Sequence, residues 1–461
     1  MTAGMAGPVR VNDTLTGGLR ELEPREDRRI GIYACGPTVY APIHVGNARP
    51  YVVFSLFKRF LERIGCDVTL VVNVTDVNDK IYAAAAEKGV PSTELANEMT
   101  ELYLEETGRL GLGRPDAEPK ASETIDAIVE LIAALVDSGH AYTTGGDVYF
   151  RVGSFEGYGK LSNRALEDMD QGEDDVPGRT AVKENPHDFA LWKASKPGED
   201  TSWPSPWGQG RPGWHIECSA MAEQILGLDF EVHGGGSDLV FPHHENEIAQ
   251  TEAARGKPLA RIWMHNGMVQ FANEKMSKSV GNIRSLGAAL DQLGPEALVM
   301  YFVSGHYRQP IAFTDAALDQ ARANVERVRD LARRLDLEGP EPGWMDAYGE
   351  RFFDELADDF NTPAALAELF SLIGEANRRL DGGERFGAGA LSEMLWALGL
   401  ERLLEPEDEA PDEEALRLLD EREAARRDRD FAAADRTRDE LRARGWEVRD
   451  TPDGPRLVRA G

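Results

Sequence analysis

The chain has 461 residues, 41% of them apolar, so it can bury sizeable cores and has room for two or three domains. Its 81 acidic against 51 basic residues give a formal charge of -30, which excludes a surface built for non-specific DNA binding and leaves room for a local basic groove. The cysteines, Cys35, Cys66 and Cys218, are too few and too odd in number for a disulfide scaffold. No segment approaches the roughly 18 apolar residues of a membrane span, so a cytoplasmic location is expected.

Ile30–Ala34 is an apolar run of strand type, followed by a turn at Gly36-Pro37. Asn47–Ile64 reads as a helix, with Val52, Val53, Leu56, Phe57, Phe60 and Leu61 at helical spacing. Val68–Val74 is again a β-branched strand, and this β-α-β order predicts a parallel, nucleotide-binding sheet. Leu95–Leu112 and Ser122–Ser138 read as helices, and Gly145–Val152 as a strand within an inserted module. Gly172–Val176 and Lys196–Gly213 read as loops, and Leu226–Val232 and Ile262–Val269 as strands. From Asp315 the pattern turns helical, over Ala316–Leu335, Met345–Asp359, Pro363–Leu380 and Ala390–Leu398. An acidic linker from Glu405 precedes a charged helix over Glu413–Arg444 and a hairpin over Trp446–Val458. The fold class is therefore α/β: a Rossmann-like parallel-sheet domain with an insertion, a helical bundle and a small C-terminal α+β module.

Three groups of residues carry chemistry. His44-Val45-Gly46-Asn47 lies between a strand and a helix, where unpaired N–H groups and the helix dipole favour phosphate. Gly46 would let backbone approach a ligand, although a histidine at a helix start is more often a cap. Lys275-Met276-Ser277-Lys278-Ser279 forms a cationic loop able to neutralise charge developing on leaving phosphates; a solvated basic turn is the plainer alternative. Cys35, Cys218, His243 and Glu247 offer two thiolates, an imidazole and a carboxylate, a donor set suited to zinc. Pro242 suits a helix's first turn, which would put His243 and Glu247 on one helical face. His233 and His244 are competing ligands, and buried cysteines are often plain core residues.

The first two groups together resemble the paired signatures of class I aminoacyl-tRNA synthetases, with Asn47 where that family's first signature ends in His. Tyr33–Tyr40, Asn73–Lys80, Gly213–Ala220 and His233–Gln250 are similar to the cysteinyl-tRNA synthetase family, as are Asp358–Pro363 and Asp430–Thr451. The resemblance implies a catalytic domain over residues 1–310, with an insertion at about 115–200 and a signature-loop region at about 261–310. A helical tRNA-binding bundle over 311–404 and an anticodon-binding module over 405–461 would follow. It implies one zinc per chain on Cys35, Cys218, His243 and Glu247, with Thr75 and Trp214 at the substrate cysteine. His44, Asn47, Lys275 and Lys278 would serve catalysis, and Gly46 and Lys278 would meet ATP, which arrives with magnesium. The partners implied are cysteine, ATP and tRNA(Cys), with no membrane and no DNA. A cysteine:amino-sugar ligase and a non-catalytic tRNA-binding paralogue are the alternatives. A net-acidic chain that holds tRNA should gather its arginines, with Arg322, Arg327, Arg378, Arg379, Arg436, Arg438, Arg442 and Arg444 as candidates; pairing with neighbouring acids is the plainer reading of any one of them.

Overall fold

The computed structural model describes residues 7–25, 28–164, 183–271, 285–337, 339–405, 413–427, 430–444, 446–451 and 454–459. Two compact units divide the chain at Arg402 and Leu403.

The first unit is built on a parallel sheet. Strands β1 (Arg10–Asp13) and β2 (Gly18–Glu21) form a small hairpin that precedes it. Strand β3 (Arg29–Ala34) is buried from Ile30 onward, as expected of a strand covered on both faces. It leads into helix α1 (Val45–Arg63), whose Val52, Val53, Leu56, Phe57, Phe60 and Leu61 are all buried. Strand β4 (Asp67–Val72) then returns parallel to β3, pairing Ile32 with Leu70.

Helices α2 (Asp79–Lys88) and α3 (Ser92–Arg109) follow, and then the insertion. Helix α4 (Ile125–Asp137) packs Ile128, Leu131, Ile132 and Leu135 against an antiparallel sheet. That sheet runs in the order β5 (Ala141–Thr144), β6 (Asp147–Phe150), β7 (Phe189–Ala194) and β8 (Gly210–Pro212). The same core takes in Ile216 and Ala220 of helix α5 (Trp214–Leu226), so the insertion supports the helix that carries Trp214 and Cys218.

Strand β9 (Phe230–Gly236) re-enters the main sheet beside β3, and β10 (Ala260–Asn266) lies beyond it, giving the parallel order β10-β9-β3-β4. Helix α6 (Glu245–Arg255) connects them. The chain leaves β3 toward β4 on one side while β9 flanks it on the other. The ends of β3 and β9 therefore frame a topological switch point, where open parallel sheets bind their ligands. Strands β11 (Val269–Phe271) and β12 (Ile311–Phe313) pair in parallel, and helices over Asp315–Ala332, Asp346–Ala357, Thr362–Asp381 and Ala390–Ala397 complete the unit. The second unit holds helices over Glu413–Arg427 and Phe431–Ala443 and a hairpin of β13 (Trp446–Thr451) and β14 (Gly454–Arg459). Ala415, Leu418, Leu441 and Trp446 form its core.

Several sequence expectations need correction. The strand read over Leu226–Val232 lies at Phe230–Gly236, because Leu226 ends α5 and the run of glycines belongs to the strand. There a side chain on Gly234 would meet the Phe54 ring at 2.0 Å, so glycine lets α1 close on the sheet. The charged stretch read as one helix is two, with Asp430 Oδ1 accepting from Ala433 N to cap the second. Helix α2 and the helices over Leu286–Leu293 and Pro295–Val303 were not foreseen; the Ala83–Ala86 run of α2 carries no periodic stripe. Gly172–Val176 and the whole of Lys275–Asn282 lie outside the described residues.

Candidate active site

The switch point opens into a cleft of about 290 Å³. Cys35, Trp214 and Leu239 line one end; His44, Gly46, Asn47 and Met268 line the other.

At the first end, Cys35 follows β3 directly, Cys218 comes from α5, His243 from the turn before α6, and Glu247 from the first turn of α6. All four are buried. Pro242 is not in the first turn of α6: the chain bends at Phe241, where φ is -141° and ψ 133°, and α6 starts at Glu245. His243 and Glu247 nevertheless meet across one turn, Nε2 to Oε1 at 3.1 Å, without the angle of a hydrogen bond. Cys35 Sγ lies 3.8 Å from Cys218 Sγ and 3.7 Å from Glu247 Oε1.

These spacings suit a shared metal ion. Tetrahedral geometry with metal–sulfur bonds of about 2.3 Å and metal–oxygen bonds of about 2.1 Å separates two sulfurs by about 3.8 Å, and a sulfur from an oxygen by about 3.6 Å. The chemistry agrees. Burial pushes the Cys35 thiol well up and the His243 imidazole down to about 3, so without a cation this buried pair would carry no charge of its own. A divalent ion would stabilise the thiolate and take up the imidazole nitrogen.

His244 also belongs to the cluster. Ligand atoms of Cys35, His243, His244 and Glu247 all lie within 4.8 Å of one another. His244 Nε2 is 3.3 Å from Cys35 Sγ, while its Nδ1 contacts His265 Nε2 at 2.8 Å, and His265 Nδ1 in turn contacts Thr14 Oγ1 at 2.7 Å. In that group His244 stands where the sequence expectation had Cys218, whose sulfur is placed beside the cluster by its 3.8 Å approach to Cys35 Sγ. His233 and His215 stand one step back: His233 Nε2 is 2.9 Å from Glu247 Oε2, and His215 Nδ1 is 2.9 Å from His243 Nδ1. Such outer partners orient the ligands. The Trp214 ring stacks on His243 with centroids 4.2 Å apart.

At the second end, His44 is the N-cap of α1. Its Nδ1 accepts from Asn47 N at 3.2 Å, and Asn47 Oδ1 accepts from His44 N at 3.3 Å, a reciprocal capping box. The cap reading of His44 therefore holds. Gly46 serves that cap, since a side chain there would meet the His44 ring at 2.8 Å. Burial lowers the His44 pKa, opposed by the Asp238 carboxylate. Pro50, inside α1, has no N–H for the Gly46 carbonyl, and both residues border the cleft. Ser285 bridges His44, so the downstream end of the signature loop is pinned to the helix start. Lys275 and Lys278 themselves lie outside the described residues.

Thr75 is buried and outside the cleft lining; its backbone braces the turn after Cys35 through Val39 N and Pro37 O. Sequence reasoning missed Lys80, Asp238, Asn266 and Met268, all of which line the cleft. Lys80 sat within a stretch that carried the family resemblance, and Asp238 beside the glycine run, but neither had a spacing of its own to mark it. The candidate arginines mostly follow the plainer reading. Arg322 pairs with Asp319, Arg378 and Arg379 with Glu375, Arg438 with Asp435 and Arg444 with Glu414, while Arg327 lies over the Phe370 ring.

Comparison with known proteins agrees with this architecture. Residues 21–323 match the class I (C) tRNA synthetase catalytic domain, 351–400 the DALR domain, and 408–455 the cysteinyl-tRNA ligase anticodon-binding domain. A cysteine–tRNA ligase of Geobacillus thermodenitrificans is 44% identical over 98% of this chain and 99% of its own length. One from Halorhodospira halophila is 44% identical with the same coverage. Among solved structures, Mycobacterium tuberculosis methionyl-tRNA synthetase bound by methionyl-adenylate shares the fold, with a TM-score of 0.59 at 18% identity over 89% of this chain and 96% of that one. By catalytic domain, anticodon-binding domain and full-length similarity, the chain belongs to the cysteine–tRNA ligase family of class I aminoacyl-tRNA synthetases.

Proposed function

We propose that the chain activates cysteine with ATP and transfers it to the 3′-terminal ribose of tRNA(Cys). The observation that carries this reading is the buried thiol–imidazole–carboxylate cluster at one end of a cleft whose other end is a helix N-terminus. One zinc per chain is assigned to Cys35, Cys218, His243 and Glu247, with His244 as the donor that remains bound to His265. When bound, zinc supplies a soft contact for the substrate thiolate that a serine hydroxyl matches poorly.

The protein's own groups do the rest. Trp214, fixed on His243, closes the side of a small amino-acid pocket, and Thr75 holds the turn that follows Cys35. The start of α1, with His44 and Asn47, faces the phosphates of magnesium-bound ATP. The cysteine carboxylate attacks the α-phosphorus, the bond to the bridging oxygen breaks, and pyrophosphate leaves. Lys275 and Lys278 are assigned to the charge that builds on the leaving group. A ribose hydroxyl then attacks the adenylate carbonyl, its proton is lost, and AMP departs. Positioning and charge stabilisation suffice for both steps, so no protein nucleophile is needed.

Residues 1–310 are assigned to this chemistry, 311–404 to the tRNA stem and 405–461 to the anticodon, in a cytoplasmic enzyme. Among the described residues no helix is long and apolar enough to cross a membrane. Cysteine-dependent ATP–pyrophosphate exchange followed by charging of total tRNA is the test. Exchange with transfer to an amino-sugar instead of tRNA would replace this reading with the ligase alternative, and absence of exchange would leave a tRNA-binding paralogue.

A further inference from the structure

Asp358–Pro363 resembles the family, yet lies outside the cleft. Asp359 and Phe360 there have φ of 64° and 46°, two successive non-glycine residues in the left-handed region. Such strain persists only where surrounding contacts hold it. The contacts are specific. The Asp359 side chain is only 8% exposed; its Oδ1 accepts from Tyr307 OH at 2.8 Å and from Asn12 N at 2.9 Å, and its Oδ2 accepts from Arg308 Nε at 2.7 Å. Its backbone N donates to Arg10 O at 2.8 Å. Phe360 packs on Phe57 of α1, with ring centroids 5.2 Å apart.

The turn that Asp359 grips is itself part of the cleft's scaffolding. Gly267 N donates to Tyr307 O at 2.7 Å, and a side chain on Gly267 would meet the Gln309 carbonyl carbon at 2.4 Å. Arg49 of α1, fully buried, donates to the carbonyls of Gly267 at 2.5 Å, Met268 at 3.3 Å and His306 at 3.1 Å. One guanidinium thus clamps the 266–268 segment, the 306–308 turn and the first helix. Met268 then lines the cleft, and Val269 Cβ lies 3.8 Å from where a Gly46 side chain would stand at the start of α1, whereas Asn266 follows His265, whose Nε2 meets His244 of the metal cluster at 2.8 Å.

We propose that Asp359 is a positioning residue for the nucleotide end of the cleft: through Tyr307 and Arg308 it fixes the turn against which Gly267 and Arg49 set the Gly267–Val269 wall beside the start of α1. The proposal rests on the ATP-dependent reading above. Asp359→Asn is the informative variant. Asparagine tolerates the left-handed backbone and keeps the oxygen that accepts from Tyr307 and Asn12, but it turns the other oxygen into an NH2 facing Arg308, so the change removes both the charge and the acceptor that order Arg308.

The experiment is cysteine-dependent ATP–pyrophosphate exchange on the full chain, with KM measured separately for ATP and cysteine and with zinc content determined. The expected result is a rise of roughly tenfold in KM for ATP, with KM for cysteine and zinc content within about twofold of wild type. Tyr307→Phe, which deletes one hydroxyl, should move the same parameter in the same direction by about threefold, and carries the test if Asp359→Asn fails to fold. Loss of kcat in proportion to the folded fraction with both KM values unchanged, or equal rises in both, would overturn the proposal and leave Asp359 a merely structural residue. Absence of exchange in the wild type would instead overturn the functional reading.

Discussion

The two ends of the cleft are built in opposite ways. At the metal end, the donors come from three separate elements, Cys35 after β3, Cys218 on α5, and His243 and Glu247 at the entry to α6, and all are buried. Behind them, His215 stands against His243 and His233 against Glu247. At the nucleotide end, His44 and Asn47 lie within four residues and satisfy each other, with Gly46 between them leaving room for the His44 ring. The difference suggests a division of labour. Discrimination between a thiol and a hydroxyl needs atoms fixed to a few tenths of an ångström, which long-range packing supplies. Binding a phosphate chain that enters, reacts and leaves suits a helix start and a lysine loop.

Substitutions should separate the ends. The largest effect is expected at the metal end. Cys218→Ser or His243→Ala should lose zinc and cysteine activation together, because removing one ligand leaves buried groups unpaired. Metal analysis alongside exchange assays checks this; full zinc with normal exchange in both variants would dissolve the distinction between the ends. Next comes Lys278→Ala, expected to slow adenylate formation by roughly a hundredfold while barely changing cysteine affinity, since its charge is met mainly in the transition state. Equal loss of kcat and cysteine binding would show that the loop reaches the amino-acid end.

His44→Asn should have a smaller and more divided effect. Asparagine can still cap α1, so thermal stability should stay within about 0.5 kcal/mol of wild type, while exchange falls if the imidazole also donates to phosphate. Stability lost with exchange intact would make His44 a cap alone. The smallest effect on exchange is expected at Gly46→Ala, where the change falls on stability. The added methyl meets the tip of the His44 ring and not backbone, so the ring shifts, and the cost should be no more than about 1 kcal/mol, the value of one cap. Urea unfolding measures it, with zinc content unchanged.

This contrast also explains what could be read in the sequence. Helix α1 and strands β3 and β4 were legible because their apolar periods are strong and local. The metal set was not legible from spacing, since 183 residues separate Cys35 from Cys218 and only packing brings them together. Only the His243–Glu247 pair could be placed from its interval, and even there the helix begins later than Pro242 suggested. Resemblance selected Cys218 over His244, and the structure shows why residues alone could not, for both stand beside the Cys35 sulfur. Asp359 was marked only as part of a resembling stretch, and its role was not legible because its partners lie 51 or more positions away.

The central claim is that a protein-bound zinc recognises the cysteine thiol. Zinc-edge X-ray absorption on the purified protein, with and without cysteine, tests it most directly. The account predicts bound zinc with two sulfur neighbours, from Cys35 and Cys218, and a third sulfur when cysteine is added but not serine. A protein without zinc, or a sulfur count unchanged by saturating cysteine, would contradict it.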